Sequence, residues 1–156
     1  AAVAIGLKFN VPVDKIIRSL ESYTPRNNRS QIKKTEKNTL ILDAYNANIT
    51  STQAALLNLS GMEFSEGKKL FILGDMLELG DVSLSAHRDM MDYTEELGLV
   101  GIFVGEEYYK AGSESYKCYK NTSDLLSEIE SLMIAGKVVL IKGSRGIKLE
   151  VIEDKL

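Results

Sequence analysis

The sequence predicts an α/β fold, because short apolar runs alternate along the chain with helical patterns. The apolar runs lie at residues 39–42, 70–73, 101–104 and 138–141, and they have the length of buried strands. Helices are predicted at residues 50–62, 82–97, 121–135 and 147–155. This alternation is typical of parallel strands joined by right-handed crossovers. We therefore expect a Rossmann-like three-layer fold with a mostly parallel sheet, one antiparallel edge strand and a short helical segment before it.

The first 25 residues are predicted to be helical and separate from the main domain. Residues 1–8 have the composition of a helix end, and Pro12 suits the first turn of the next helix. The i, i+3, i+4, i+7 spacing of an amphipathic helix is followed by Val13, Ile16, Ile17 and Leu20. The proline and asparagines of residues 24–29 then predict a boundary. Because the chain also begins at Ala1 without a methionine, we expect residues 1–25 to end a preceding domain and residues 26–156 to form another.

The remaining elements follow from local patterns. Residues 31–35 predict the antiparallel edge strand, which a turn at 36–38 joins to the strand at 39–42. Residues 116–119 predict a short strand in which Cys118 is a packing residue. Gly136 is expected to end the helix at 121–135 as its C-terminal cap.

Composition excludes several classes of protein. The 156 residues suit one domain with a small appendage, and 19 basic against 22 acidic residues give a net charge of −3. This balance argues against a nucleic-acid or membrane-surface protein. No apolar run approaches 18 residues, and the single cysteine excludes an internal disulfide. A cytoplasmic location is the expectation.

The most informative stretch follows the strand at 39–42. Asp43, Tyr45, Asn46 and Asn48 come directly after it, and Thr50 with Gln53 has the spacing of a helix capping box. The crevice at the carboxyl ends of parallel strands is where open α/β sheets bind ligands. The alternative is a polar loop that only caps its own helix.

Three other strands also end in small or polar residues. These are residues 74–80, residues 105–107, and Lys142-Gly143-Ser144-Arg145. Because parallel strands end at one edge of a sheet, we expect these loops to share a crevice, which favours a binding site. The sequence contains no G-x-x-x-x-G-K-[ST] loop, no G-x-G-x-x-G, no G-x-S-x-G and no zinc-ligand spacing.

Three blocks in this order resemble the C-terminal domain of the Mur ligase family. They are Asp43-Ala44-Tyr45-Asn46-Ala47-Asn48, residues 73–80 with His87 after them, and Lys142-Gly143-Ser144-Arg145. Residues 1–25 resemble the closing helices of the family's central ATPase domain. Within the family, the first two blocks favour the member that adds a dipeptide over those that add earlier amino acids. The chain departs from the family's usual pattern at two positions: Asn28, where many relatives have glycine, and Ala44, where many have serine.

The resemblance implies an ATP-dependent, amide-forming ligase of peptidoglycan precursor synthesis. It would join D-alanyl-D-alanine to UDP-N-acetylmuramoyl-tripeptide through an acyl phosphate. ATP and Mg²⁺ would be held mainly by the central domain, which with the N-terminal domain would be this domain's partner within one polypeptide. Because this chain has no P-loop, we expect it to be inactive alone, and no residue in it is expected to be catalytic or to bind a metal.

The resemblance also implies roles for individual residues. Nucleotide binding is expected of Arg29, Asp43, Tyr45, Asn46 and Asn48, with Asp43 accepting hydrogen bonds from the ribose hydroxyls. Substrate binding is expected of Lys142, Ser144, Arg145 and His87, the first three at the dipeptide carboxylate. Asp75, Glu78 and His87 have the alternative of bracing the loop after residue 73.

Two alternative functions remain open on the sequence. One is a domain of another Mur or folylpolyglutamate-type ligase. The other is a flavodoxin-like receiver or binding module with Asp43 as its acidic strand-end site and Lys142 as its distal lysine. That class calls for a proline after the lysine and a pair of adjacent acids, whereas Gly143 follows Lys142 here.

Overall fold

The computed structural model describes residues 1–23, 29–64 and 68–156. Within these ranges the strands are β1 (Gln31–Lys34), β2 (Thr39–Asp43), β3 (Lys69–Gly74), β4 (Val100–Val104), β5 (Lys117–Tyr119) and β6 (Val138–Lys142). The helices are α1 (Ala2–Lys8), α2 (Val13–Glu21), α3 (Ile49–Gly61), α4 (Ser83–Glu96), α5 (Glu106–Ala111) and α6 (Thr122–Glu128). Short 3₁₀ segments span Gly80–Val82, Arg145–Ile147 and Leu149–Lys155.

The sheet confirms the predicted topology. Its strand order is β1-β2-β6-β3-β4-β5. β1 pairs with β2 antiparallel, with Lys34 opposite Thr39 at the hairpin, and all other neighbours pair in parallel. The turn at 36–38 closes when the Thr35 N–H donates to the Asn38 carbonyl at 2.9 Å.

Each face of the sheet carries its own core, because successive side chains of a strand point to opposite faces. In β2, Leu40 and Leu42 pack on the side of α6, whereas Ile41 packs on the side of α3 and α4. Phe71 fills the second core so closely that a Cβ on Gly101 would lie 2.3 Å from its ring. The expected three layers, helices on both faces of one sheet, are confirmed.

Several predicted element boundaries are wrong. The helix expected at 121–135 ends at Glu128, after which turns carry Met133 in the left-handed region (φ 47°). Gly136 therefore does not cap a helix; its N–H donates to the Lys37 carbonyl at 2.8 Å instead. The helix expected at 147–155 is instead 3₁₀ segments, with the left-handed Lys148 between them. The six-residue α5 was not predicted at all.

The predicted N-terminal helices are present, but their apolar side chains are largely exposed. α2 begins directly after Pro12, and Ile16 is buried. By contrast Ile5 of α1 is 58% exposed and Ile17 of α2 is 46% exposed. The predicted boundary at residues 25–26 and the departure at Asn28 lie outside the described residues, so the division into two domains stays a prediction.

Among residues 1–23, 29–64 and 68–156, no helix combines the length and the hydropathy that crossing a membrane requires.

Candidate functional site

The carboxyl ends of the five parallel strands meet at one edge of the sheet, as the sequence predicts. Asp43 is in register with Lys142, and Gly74 is in register with Val104. Val104 in turn lies opposite Tyr119 at the end of β5. The loops that follow β2, β3, β4, β5 and β6 therefore share this edge, which we call the strand-end edge.

An ion pair between Asp43 and Lys142 lies at the strand-end edge, where β2 and β6 end side by side. Lys142 Nζ is 2.6 Å from Asp43 Oδ2 and also donates to the Asn46 carbonyl at 3.0 Å. The Lys142 side chain is only 2% exposed and that of Asp43 is 22% exposed. A buried ammonium is stable only when it is paired and hydrogen-bonded, and both partners here come from β2 and the loop after it. Lys142 thus holds Asp43 and this loop in place.

The second carboxylate oxygen of Asp43 fixes the residue before β1. Asp43 Oδ1 accepts the Ser30 N–H at 3.0 Å and lies 3.4 Å from Ser30 Oγ. Ser30 itself has a left-handed backbone (φ 49°). A carboxylate offers about four lone-pair positions, so the partly exposed Asp43 keeps the capacity to accept further hydrogen bonds.

Two arginines approach the exposed ring of Tyr45. The Arg29 guanidinium lies 3.9 Å from the ring centroid and that of Arg145 lies 5.8 Å away. Both arginines are exposed, and Tyr45 is 39% exposed. Guanidinium groups stack on aromatic faces and bind phosphates and carboxylates. This cluster, Arg29, Tyr45 and Arg145, presents two cations to solvent beside Asp43.

The asparagines of the loop after β2 contribute in different ways. Asn46 supplies its carbonyl to Lys142, and its side chain is exposed. Asn48 is the N-cap of α3: its Oδ1 accepts the Ser51 N–H at 2.8 Å, and Ser51 Oγ is 3.2 Å from the Asn48 N–H. The capping box predicted for Thr50 and Gln53 is therefore wrong by two residues. The extended backbone of Asn48 and the strong capping tendency of asparagine start the helix at Ile49.

Ser144 joins three loops beneath the surface. Its N–H donates to the Asp75 carbonyl at 3.1 Å, and its Oγ accepts the Leu77 N–H at 2.9 Å. The same Oγ lies 3.5 Å from the Ala47 carbonyl. Ser144 is 6% exposed, so it orders the strand-end edge and presents little surface of its own.

Asp75 anchors the loop after β3 to α5. Its Oδ2 accepts the Glu107 N–H and its Oδ1 accepts the Tyr108 N–H, both at 3.0 Å. The side chain is buried, and burial raises the pKa of this carboxyl, against the lowering effect of the two N–H groups. Asp75 is thus a cap supplied to a short helix from a distant loop.

His87 braces the same loop from α4. Its Nε2 accepts the Met76 N–H at 3.1 Å, and its Nδ1 donates to the Ser83 carbonyl at 2.7 Å. These two bonds require a neutral ring with the proton on Nδ1. His87 is 0% exposed, so the geometry fits the bracing alternative and leaves its ring no surface for a ligand. Glu78 is exposed with a left-handed backbone (φ 66°).

A cleft lies at the strand-end edge toward β5; the sequence interpretation expected the loops at 74–80 and 105–107 to share a crevice but did not include residues 120–122. Its volume is ≈ 390 Å³, and residues from four loops line it. Its walls are Asp75 and Leu77, Gly105 with Glu106 and Glu107, residues 120–122, and Gly146 with Ile147. The loop after the short strand β5 and the start of the unpredicted α5 build one side of it.

Comparison with known proteins identifies relatives of the chain. Residues 28–145 match the family described as Mur ligase, glutamate ligase domain. The chain is 33% identical, over its whole length, to a UDP-N-acetylmuramoyl-tripeptide--D-alanyl-D-alanine ligase from Bacillus subtilis, of which it covers 36%. A protein of the same name from Buchnera aphidicola is 32% identical and 35% covered. The chain therefore spans about a third of the length of these curated relatives.

Solved structures support the same relationship. A crystal structure of MurF from Acinetobacter baumannii superimposes with a TM-score of 0.82 at 28% identity, covering 99% of this chain and 35% of that one. MurF ligase from Thermotoga maritima, solved in complex with ADP, has a TM-score of 0.80 at 20% identity, over 97% of this chain and 35% of that one. The second match is evidence for the fold alone.

Proposed function

The chain belongs to the Mur ligase family, and we propose that it is the C-terminal domain of the ligase that joins D-alanyl-D-alanine to UDP-N-acetylmuramoyl-tripeptide. The observation that carries this proposal is the strand-end edge, where Arg29 and Arg145 approach the Tyr45 ring and the partly exposed Asp43 is held by Lys142. The name of the B. subtilis relative supplies the substrates. The proposal includes the cytoplasmic location that these nucleotide-linked substrates imply.

The proposed reaction makes an amide from a carboxylate and an amine. ATP supplies a phosphoryl group to the tripeptide carboxylate, the dipeptide amine attacks the resulting acyl phosphate, and inorganic phosphate leaves with the former carboxylate oxygen. This chain contributes binding and orientation, and its closure over the rest of the ligase would exclude water from the acyl phosphate, a mixed anhydride that water hydrolyses.

Asp43 is proposed to accept hydrogen bonds from the ribose hydroxyls of the nucleotide. Two of its lone-pair positions serve Lys142 and Ser30, and its exposed side leaves the others for a ligand. Arg29 is proposed to contact ribose or phosphate, and Tyr45, Asn46 and Asn48 to shape the junction with the dipeptide. Arg145 is proposed to contact anionic groups of the substrates, where a guanidinium is suitable.

The Mg²⁺ and the ATP phosphates are proposed to be held mainly by the central domain of the ligase. In residues 1–23, 29–64 and 68–156, no group of three histidine, cysteine or acidic side chains converges as metal ligands would.

A ligation assay tests the proposal. The intact ligase, incubated with ATP, Mg²⁺, UDP-N-acetylmuramoyl-tripeptide and D-alanyl-D-alanine, should form the pentapeptide product and phosphate in equal amounts, detected by mass spectrometry. The present chain alone should form none. Turnover of a single amino acid or of a folate in place of the dipeptide would instead support the alternative ligase classes.

A further inference from the structure

Two of the groups expected at the dipeptide carboxylate are already engaged within the chain. Lys142 is 2% exposed, and its ammonium is bound to Asp43 and the Asn46 carbonyl. Ser144 uses its hydroxyl on the Leu77 N–H and is also nearly buried. A free carboxylate needs an accessible cation, because such bonds are strong only when the donor can reach the anion.

Lys120 is an accessible cation at the neighbouring cleft. It follows β5 directly, is exposed, and lines the cleft. The two lysines nearest to it in sequence are paired, Lys117 with Glu128 and Lys110 with Glu107. In the part of the chain that the structure describes, no contact pairs Lys120 with an acidic group.

The rest of the cleft suits a small molecule with methyl groups. Leu77 and Ile147 provide apolar surface on the side of β3 and β6. Gly105 and Gly146 let the walls pack closely, because a Cβ on Gly105 would lie 2.2 Å from the Asp75 carboxyl carbon and one on Gly146 would lie 2.8 Å from Leu77 Cδ1. The volume of ≈ 390 Å³ falls within the roughly 300–1,000 Å³ typical of small-molecule sites.

The order of the strands gives a bound molecule a direction. Three strand spacings separate β5 from β6 along the sheet, about 14 Å. An extended dipeptide covers about 7 Å of this distance, and the flexible four-carbon stem of lysine reaches inward from β5. A carboxylate held at Lys120 would therefore place the amine of a dipeptide toward the loop after β6 and toward Asp43.

From these observations we propose that this cleft is the binding site of the incoming dipeptide and that Lys120 binds its terminal carboxylate. This inference rests on the proposed function. The side chains of the two D-alanine residues lie against Leu77 and Ile147. The amine points out of the cleft beside Arg145, where the activated carboxylate of the other substrate would arrive.

Steady-state kinetics of the intact ligase with Lys120→Gln test this assignment. The KM for D-alanyl-D-alanine should rise about tenfold, the loss of one charge-assisted hydrogen bond. The KM for ATP should not change. Lys120→Arg should retain most of the affinity, and Lys34→Gln, which removes an exposed lysine at the opposite end of the sheet, should match the wild type.

An analogue separates a direct contact from an indirect one. D-alanyl-D-alaninamide has no carboxylate, so the wild type and Lys120→Gln should use it with the same KM. The role of Lys120 would be overturned if Lys120→Gln left the KM for the dipeptide unchanged. It would also be overturned if the substitution raised the KM for the dipeptide and for the amide equally. Failure of the wild type to ligate the dipeptide at all would instead overturn the proposed function.

Discussion

Asp43 and Lys142 depend on each other unequally, because one is buried and the other is partly exposed. Lys142 is 2% exposed, so its ammonium has no access to water, whereas the Asp43 carboxylate is 22% exposed and also bonded to Ser30. Losing the carboxylate charge leaves a buried cation, whereas losing the cation leaves an anion that water and N–H groups still stabilise.

The first prediction follows from this asymmetry. Asp43→Asn should lower the free energy of unfolding by about 2 kcal/mol, because a neutral amide cannot compensate the buried ammonium. Lys142→Met, which replaces the ammonium stem by an apolar one of similar size, should cost about 1 kcal/mol or less. Urea denaturation of both variants provides the measurement, and a larger cost for Lys142→Met would show that the pair is not organised around burial of the lysine.

The sequence predicted where these residues lie, but it did not predict which hydrogen bonds and ion pairs they make. Asp43, Tyr45, Ser144 and Arg145 were placed at one edge because parallel strands end together, and the structure places them there. That Lys142 turns inward, and that His87 has both ring nitrogens bonded, depends on backbone carbonyls and N–H groups that no residue pattern specifies.

At the scale of single elements, two helices have an asparagine as N-cap. Asn48 caps α3 through the Ser51 N–H at 2.8 Å, and Asn121 caps α6 through the Asp124 N–H at 2.9 Å. Only the first lies in the loop that carries Asp43. The pair therefore offers a way to separate helix stability from function.

The second prediction uses this pair. Asn48→Ala and Asn121→Ala should each lower the free energy of unfolding by about 1 kcal/mol, the usual value of an N-cap. Only Asn48→Ala should also raise the KM for ATP in the intact ligase, because it loosens the loop after β2. Equal ATP KM values in the two variants, at matched thermal stability, would argue against a nucleotide role for this loop.

The third prediction concerns the anchor of α5. Burial raises the pKa of Asp75 above its ordinary value near 3.8, so the folded protein binds this proton more tightly than the unfolded chain. The stability that Asp75 contributes should therefore be greatest below about pH 4 and decline as the pH rises through the raised pKa. Denaturation from pH 4 to 7 should show the free energy of unfolding of the wild type falling relative to that of Asp75→Asn as the pH rises. A free energy of unfolding of the wild type that rises relative to that of Asp75→Asn would refute the assignment.

The elements that the sequence missed are short and depend on tertiary contacts. α5 has six residues, and the N–H of Glu107 in its first turn is bound by Asp75, 32 positions earlier in the chain. The sequence near α5 therefore contains no capping signal that predicts it. α6 ends early, yet Ile129 and Ile134 still reach the core through turns. Apolar spacing did not distinguish a continuous helix from consecutive turns, and Met133 within those turns is 84% exposed.

At the scale of the whole molecule, the sheet presents one edge that is rich in functional groups. The ion pair of Asp43 and Lys142 lies at the ends of β2 and β6, and the cleft lined by Lys120 is formed by the loops after β3, β4, β5 and β6. In the proposed ligase this edge faces the domain that carries ATP and the tripeptide. At the N-terminal end, apolar residues of α1 and α2 such as Ile5 and Ile17 are exposed.

The central claim is that this edge binds the nucleotide of an amide-forming ligase, and the kinetics of Asp43→Asn test it most directly. KM values do not depend on the fraction of folded enzyme, so the loss of stability predicted above does not obscure them. The KM for ATP should rise about tenfold, while that for D-alanyl-D-alanine changes less than about twofold. A larger rise in the dipeptide KM than in the ATP KM would contradict the account.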